Sequence, residues 1–388
     1  MSSASFRDFH RLRRLPKSPK RVLIIATRQI GDVLCTTPLM RRARELWPEA
    51  CIDVLGYDKT MGMLAGNPDI NQVIESSEHP GPAEYRQLIR RLFRRYDLAI
   101  VTQPSDRAHL YGLLAAPKRV GIVPQAKAHN WWKKWLCLHW VELDYWQQHV
   151  VVERLRLLPP ARQASLTPPA AEPLPAQLQP FVGQGRLVVV HATPMWRFKR
   201  WPVSHWAALV SDQLSQGHKV VLTGSASHQD QSLNQEIVDR VQQSGVGPIG
   251  QVSAQLFNAA GLLSLGQVAS LLKAAWAYVG VDTSITHLAA ACSTRTIALF
   301  GATPPTNFGP WPQQTAVAEQ MQSVWQLRGE PDSSDQSIRL QTVGSVTIVQ
   351  GPGQCVPCRK AGCQDRFDSH SDCLDRLPAT AIMGLLRS

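Results

Sequence analysis

Nowhere in these 388 residues does an apolar run approach the ~18 residues that a membrane-spanning helix needs. The opening Met1-Ser2-Ser3-Ala4-Ser5-Phe6-Arg7 lacks the apolar stretch of a secretory signal, so the chain is expected to stay in the cytoplasm. Cysteine is sparse, eight residues in all, and Cys35, Cys51, Cys137 and Cys292 are scattered through apolar segments in no pattern of bridges. That excludes a disulfide framework. The glycine spacing around Gly31, after the first strand-like run, fails the Gly-x-Gly-x-x-Gly fingerprint and disfavours a Rossmann-type nicotinamide site there. No internal repeat is evident. Acidic residues are also short: 29 Asp and Glu against 41 Lys and Arg leave a formal charge of +12.

That surplus is uneven. Seven basic residues accompany one acid in the first 21 positions, and further clusters stand at Arg90-Arg91-Leu92-Phe93-Arg94-Arg95 and Trp131-Trp132-Lys133-Lys134-Trp135. An acidic partner is expected, and nucleic acid, an anionic membrane face or a phosphorylated glycolipid would each satisfy it, as would a basic surface that only aids solubility. The tryptophans beside lysines favour lipid, because an indole and an ammonium both sit well at headgroup level.

With 44% hydrophobic residues, the length suits two domains of roughly 150 to 200 residues. In the first half, strands are expected at 22–26, 52–55, 73–74, 98–102 and 119–123, alternating with helices at 38–47, 83–96, 105–115 and 146–158. Thr37 would cap the first helix, with Pro38 at its first position. This alternation signifies a parallel sheet covered by helices. Residues 159–180 contain seven prolines and can neither propagate a helix nor pair as a central strand, so 159–185 is taken as a linker. Beyond it come strands at 187–191, 219–222, 276–281 and 297–300 and helices at 202–216, 231–243 and 265–274. The organisation is therefore a basic extension (1–20), an α/β domain (21–158), the linker, and a second α/β domain (186–388). Residues 318–350, with one strand-like run at 345–349, read as an insertion, and 355–373 as a cysteine-bearing tail. Two such halves imply a cleft between them, with ligands at the carboxyl ends of the strands.

Three segments at those ends carry candidate chemistry. In Gly280-Val281-Asp282-Thr283-Ser284-Ile285-Thr286-His287-Leu288-Ala289-Ala290 a buried strand runs directly into a helix, with Asp282 and Thr283 as natural caps. Its N–H groups and positive dipole end suit a phosphate; an ordinary capped helix is the plainer reading. In Thr27-Arg28-Gln29-Ile30-Gly31-Asp32-Val33-Leu34 the Asp32 carboxylate could serve as a general base, or simply cap a helix. In His191-Ala192-Thr193-Pro194-Met195-Trp196-Arg197-Phe198-Lys199-Arg200-Trp201-Pro202, Thr193 can donate to a phosphate and Lys199 can neutralise a departing diphosphate, unless the cations of this loop are only solvated. The turn Thr223-Gly224-Ser225-Ala226-Ser227-His228 is a weaker candidate for contacting a ribose or base.

Taken in order, Arg21-Val22-Leu23-Ile24-Ile25, Gly31-Asp32-Val33-Leu34, Thr37-Pro38, Lys199-x-Trp201-Pro202, Gly280-Val281-Asp282-Thr283 with His287-Leu288-Ala289-Ala290, and Leu299-Phe300-Gly301-Ala302-Thr303 with Gly309-Pro310 resemble glycosyltransferase family 9, the bacterial lipopolysaccharide heptosyltransferases. The resemblance runs from about Arg21 to Pro310. Gln147-Gln148-His149-Val150 ahead of Glu153-Arg154 resembles the family's closing helix of the first domain. The resemblance implies a GT-B fold of two Rossmann-like domains facing across a cleft, with ADP-heptose as donor in the second and a phosphorylated lipid A–core acceptor against the first. It further implies an inverting transfer that requires no cofactor or catalytic metal, and a peripheral enzyme on the anionic inner face of the inner membrane, with no specific nucleic-acid partner. Asp32 matches the catalytic base and Lys199 the lysine on the donor phosphates. Thr193 matches the hydroxyl beside them, and Asp282, Thr283 and His287 the donor-binding residues, with Ser284 in the same turn. Pro194 stands where some members have Thr or Ser, and Ser284 where Gly commonly follows Asp-Thr. A transferase or epimerase using another sugar nucleotide, or a non-catalytic basic lipid- or nucleic-acid-binding protein, is the alternative.

One further pattern stands apart. Cys355-Val356-Pro357-Cys358 is half of a tetrahedral thiolate cluster that Cys363 and Cys373 could complete, with His370 as a substitute ligand; reduced cysteines packed in a tail are the other reading.

Overall fold

The computed structural model describes residues 12–125, 130–144, 148–183, 185–245, 254–313, 315–316, 324–327 and 337–387. The chain divides into two units, residues 1–170 with 314–323 and residues 171–313 with 324–388.

The first unit is built on β1 (Arg21–Ala26), β2 (Cys51–Tyr57), β3 (Gln72–Ser76), β4 (Leu98–Val101), β5 (Lys118–Val123) and β6 (His139–Glu142). They form one parallel sheet in the order β3-β2-β1-β4-β5-β6. Val22, Leu23, Ile24 and Ile25 are all fully buried, as expected of a strand covered on both faces. The Asp53 carboxylate on β2 is buried too, and is offset by the Tyr96 hydroxyl at 2.7 Å and by Arg21 at 3.6 Å.

Local chemistry sets the helix ends. Ser105 accepts from the Ala108 N–H and starts the helix Asp106–Ala115. The helix expected over 83–96 is Pro82–Leu92, and soon after it Arg94 takes a left-handed φ of 50°. Thr36, not Thr37, holds the cap position of Thr37–Leu46, and the Thr37 hydroxyl bonds back to Leu34 O. The helix expected over 146–158 is Val150–Leu155, with His149 as its cap; Trp146 and Gln147 lie outside the described residues.

The second unit repeats the plan with β8 (Leu187–His191), β9 (Lys219–Leu222), β10 (Leu256–Asn258), β11 (Ala277–Val281), β12 (Thr296–Phe300), β14 (Arg339–Val343) and β15 (Val346–Gln350), in the order β10-β9-β8-β11-β12-β15-β14. All pairs are parallel except β14 with β15. The last two strands correct the reading of 318–350 as an insertion. Val346, Ile348 and Val349 are buried, Trp325 packs with Val346, Ile348 and Phe300, and residues 328–336 lie outside the description.

The proline-rich stretch is docked rather than free. Before residue 171 it belongs to the first unit, where Arg42 Nε donates to Pro159 O and Gln163–Ala164 (β7) pairs antiparallel with Thr315–Ala316 (β13). After it, the Ser270 hydroxyl donates to Glu172 O, and Leu178 and Phe181 are buried in the second unit.

One basic cluster is less basic than its composition. Lys133 is buried, with Nζ 2.5 Å from Asp106 Oδ1 and 2.7 Å from Pro104 O, and Lys134 pairs with Glu142. Trp131 and Trp135 of the same helix remain exposed.

Candidate active site

In a doubly wound sheet, a crevice opens at the carboxyl ends of the strands where the strand order reverses. The reversal falls at β1 in the first unit and between β8 and β11 in the second. The three candidate segments follow β1, β8 and β11 in sequence.

In the first unit, β1 leads into the short helix Ile30–Leu34, whose cap position belongs to Gln29. Asp32 is therefore inside the first turn, and the capping role is corrected. Its carboxylate favours the positive end of that turn and is gripped from far along the chain: Arg154 Nη2 lies 2.6 Å from Oδ1, while Nη1 donates to the Asp32 carbonyl. Arg28 adds a weaker contact, with Nε 3.7 Å from Oδ2. Arg154 is buried, on the helix Val150–Leu155, and is the partner that motif reading missed. A cation among three consecutive valines and a leucine, Val150-Val151-Val152-Glu153-Arg154-Leu155, was the available signal, because a buried charge needs a counter-charge.

Glu153, the neighbour of Arg154, is also buried, and burial pushes its carboxyl up to about 7, against the lowering effect of the Asp144 N–H that it accepts. A folded-state value above the unfolded one means that the native state binds the extra proton between pH ~4.5 and ~7. Stability from this group is thus fully present below the unfolded value and falls as pH rises through 7. Glu153→Gln is expected to flatten that slope and to raise stability at pH 8 by on the order of 2–3 kcal/mol. Thermal melts of both proteins from pH 5 to 8 check it; parallel curves would reject it.

In the second unit, Thr193 follows β8. It is buried, and its hydroxyl makes no hydrogen bond among the described residues. The next turn, Arg197–Lys199, is pinned on both sides: Phe198 is buried, and Trp201 is buried with its indole N–H on Leu377 O at 2.8 Å and its ring edge-on to Trp206 at 4.7 Å. Between these anchors Lys199 reaches Asp282, with Nζ 2.6 Å from Oδ2. Asp282 follows β11, the strand paired with β8. The lysine loop is therefore ordered by a carboxylate on the neighbouring strand's end, and not merely solvated.

Thr283 holds the cap position of Ser284–Ala291, but its side chain caps nothing in that helix. Its hydroxyl lies 3.4 Å from the Thr286 hydroxyl, which itself meets Val281 O and the Tyr278 hydroxyl. The capping expected of Asp282 and Thr283 is thus not made, and the helix start keeps the N–H groups that have no intrahelical partner. Ser284 is half-buried and His287 buried in the same helix. Nearby His191 is fully buried, which pushes its imidazole down to about 4 and keeps it neutral at physiological pH. The turn at Thr223–His228 is occupied with itself: Ser227 caps the helix His228–Gln243, and Asp230 accepts the Ser225 N–H.

Two Rossmann-ordered sheets in one chain, with basic and hydroxyl side chains following the strands, are the α/β plan of the GT-B fold. The solved structure of Escherichia coli ADP-heptose lps heptosyltransferase II superposes with a TM-score of 0.65 at 20% identity, covering 95% of this chain and 97% of that one. E. coli heptosyltransferase WaaC with ADP gives 0.64 at 20%, covering 95% and 99%. The family model for glycosyltransferase family 9 (heptosyltransferase) matches residues 85–331, and the chain belongs to that family. Lipopolysaccharide heptosyltransferase 3 of E. coli is 29% identical over 296 residues, 72% of this chain and 83% of the relative.

Proposed function

We propose that this enzyme transfers a heptose from ADP-heptose to the phosphorylated lipid A–inner core of lipopolysaccharide, with inversion at the anomeric carbon. The observation that carries this reading is the Lys199–Asp282 ion pair formed at the ends of two adjacent strands, after the buried Thr193 hydroxyl on one and before an uncapped helix start on the other. Those groups are what a sugar nucleotide's diphosphate requires. A carboxylate would repel phosphate, so Asp282 serves to aim the ammonium, while Lys199, Thr193 and the first turn at Thr283 and Ser284 meet the oxygens. His287 lines the same helix.

In the transfer, Asp32 takes the proton from an acceptor hydroxyl as its oxygen bonds to the anomeric carbon. The bond from that carbon to the diphosphate breaks, and ADP leaves against Lys199. Arg154 acts through Asp32: its guanidinium holds the carboxylate in place. Relatives that carry the name heptosyltransferase, and one solved with ADP, support heptose and adenine as the donor's parts. Incubation with ADP-heptose and truncated lipopolysaccharide is expected to add the mass of one heptose to the glycolipid. No added mass, with turnover of another sugar nucleotide, would move the reading to a different transferase or an epimerase.

Such an acceptor is embedded in an anionic bilayer, and the first unit carries matching groups: Arg90, Arg91, Arg94 and Arg95 are exposed alongside Ile89 and Phe93. Arg13, Arg14, Lys17 and Lys20 are exposed ahead of β1, while Arg7 and Arg11 lie outside the described residues. Each cation near such a surface contributes on the order of 1 kcal/mol, less at high salt. Deleting residues 1–18 is expected to weaken binding to anionic vesicles at low salt and to leave turnover of a soluble acceptor analogue nearly intact. Equal vesicle binding by both proteins would reject this.

A further inference from the structure

In the first unit, the steps from β3 to β4, β4 to β5 and β5 to β6 all run the same way across the sheet, whereas β1 to β2 and β2 to β3 run the other way. Right-handed crossovers therefore place the helices Pro82–Leu92, Asp106–Ala115 and Trp131–Leu136 together on one face. The packing agrees. Leu88 and Leu92 of the first helix share a core cluster with Ala108, Tyr111 and Ala115 of the second. The second meets the third through the Asp106–Lys133 pair and through His109 and Trp132, whose ring centroids lie 6.1 Å apart.

The outer side of this layer is strongly apolar. Among the described residues, every exposed large apolar side chain of the first unit lies on these helices or on Phe93, directly after the first. Ile89 and Phe93, Leu110 and Leu113, and Trp131 and Trp135 stand at the i,i+3 or i,i+4 spacing that puts side chains on one side of a helix. Trp131 is 68% exposed and Trp135 79%, so neither indole is docked on its own domain. Single exposed apolar residues are ordinary on a protein surface, but a face that collects all of them marks a contact surface.

Charge identifies what the face contacts. Arg86, Arg90, Arg91, Arg94 and Arg95 are exposed on the first helix and at its end, while the one carboxylate of that helix, Glu84, accepts the Ser77 N–H at 2.7 Å. The basic extension arrives beside this cluster, because Asp97 accepts the Lys20 and Arg21 N–H groups at 2.7 and 3.0 Å. A second copy presenting the same face would set like charges against each other. A polynucleotide would leave Ile89, Leu110 and Leu113 without apolar partners. An anionic bilayer satisfies both properties, since indoles and arginine stems sit at the headgroup boundary and guanidinium groups pair with phosphate. We propose that the face formed by these three helices lies on an anionic bilayer, with Phe93, Leu110, Leu113, Trp131 and Trp135 at the boundary of headgroups and acyl chains and the arginines on lipid phosphates. The assignment rests on the reading of the acceptor as membrane-embedded and names the surface that reaches it.

Flotation with vesicles of equal parts phosphatidylcholine and phosphatidylglycerol is expected to carry the full-length protein, and vesicles of phosphatidylcholine alone to carry much less. Trp131→Ser with Trp135→Ser, and separately Leu110→Ser with Leu113→Ser, should each lower affinity for the mixed vesicles by about 10-fold. Leu262→Ser, at a similarly exposed leucine of the second unit, should leave it unchanged. All five positions are exposed, so melting curves should match the wild type. Lipids brominated on the acyl chains should quench the tryptophan fluorescence of the bound wild-type protein and quench the double tryptophan variant much less. Unchanged vesicle affinity of both double variants, or equal bromine quenching with and without Trp131 and Trp135, overturns the proposal. So does a dimer in solution that the tryptophan substitutions dissolve, or binding to polyglutamate in place of vesicles. Vesicle binding needs neither donor nor acceptor, so its failure leaves heptose transfer standing, and a vesicle-bound protein that transfers no heptose overturns the transfer reading alone.

Discussion

Asp32→Asn is expected to lower turnover by roughly 10²–10⁴-fold while ADP affinity stays nearly unchanged. Asparagine matches the carboxylate in shape and still offers one oxygen to Arg154, but it cannot take the acceptor's proton. Because Gln29 occupies the cap position of this helix, the effect cannot come from losing a cap. A second consequence follows from the buried guanidinium, whose counter-charge at 2.6 Å disappears. Leaving a buried charge unpaired is costly, up to about 3–5 kcal/mol when no other group replaces the partner. Here Arg154 keeps its bond to the Asp32 carbonyl, so a smaller loss of thermal stability is expected. Steady-state rates, ADP binding and melting curves on the same preparation separate these effects. Near-normal turnover in folded Asp32→Asn would remove Asp32 from the chemistry.

Lys199→Ala should behave differently, lowering donor affinity about 10-fold or more and turnover by a further 10²–10³-fold. The diphosphate is charged in the ground state and gains charge as the glycosidic bond breaks, so one ammonium contributes to both binding and rate. Removing Lys199 also strands Asp282, which is buried and would then face the phosphates without its cation. For that reason Lys199→Ala with Asp282→Asn should bind ADP better than Lys199→Ala alone. Separate determination of kcat, KM and ADP affinity for the three variants tests this. A change in KM alone would show that Lys199 only binds, and equal ADP affinity of the single and double variants would deny that Asp282 aims it.

The contrast between these two residues shows how much of the protein was legible from its order of amino acids. The runs 187–191, 219–222 and 265–274 are bounded in the structure at the residues expected, because continuous apolar stretches and a capping serine act within a few positions. The placement of Asp32, Thr193, Lys199 and Asp282 after strands followed from the same local signals. Strands β6 and β10 were not legible. They are short and lie at the sheet edges, where His139, Glu142 and Asn258 dilute the apolar pattern, and pairing with a neighbour is what makes them strands.

Charge was the least local property. Lys133 and Lys134 count as two cations in composition, yet the fold neutralises both with Asp106 and Glu142. The sequence by itself determined the alternation of elements, the two-part organisation and the residue types at the strand ends, all carried by interactions between near neighbours. Only tertiary structure decided that Arg154 closes on Asp32 across 122 positions and that Asp282 closes on Lys199 across 83. The side-chain partner of a charge depends on which strands lie adjacent, and that is settled by non-local packing of the sheets.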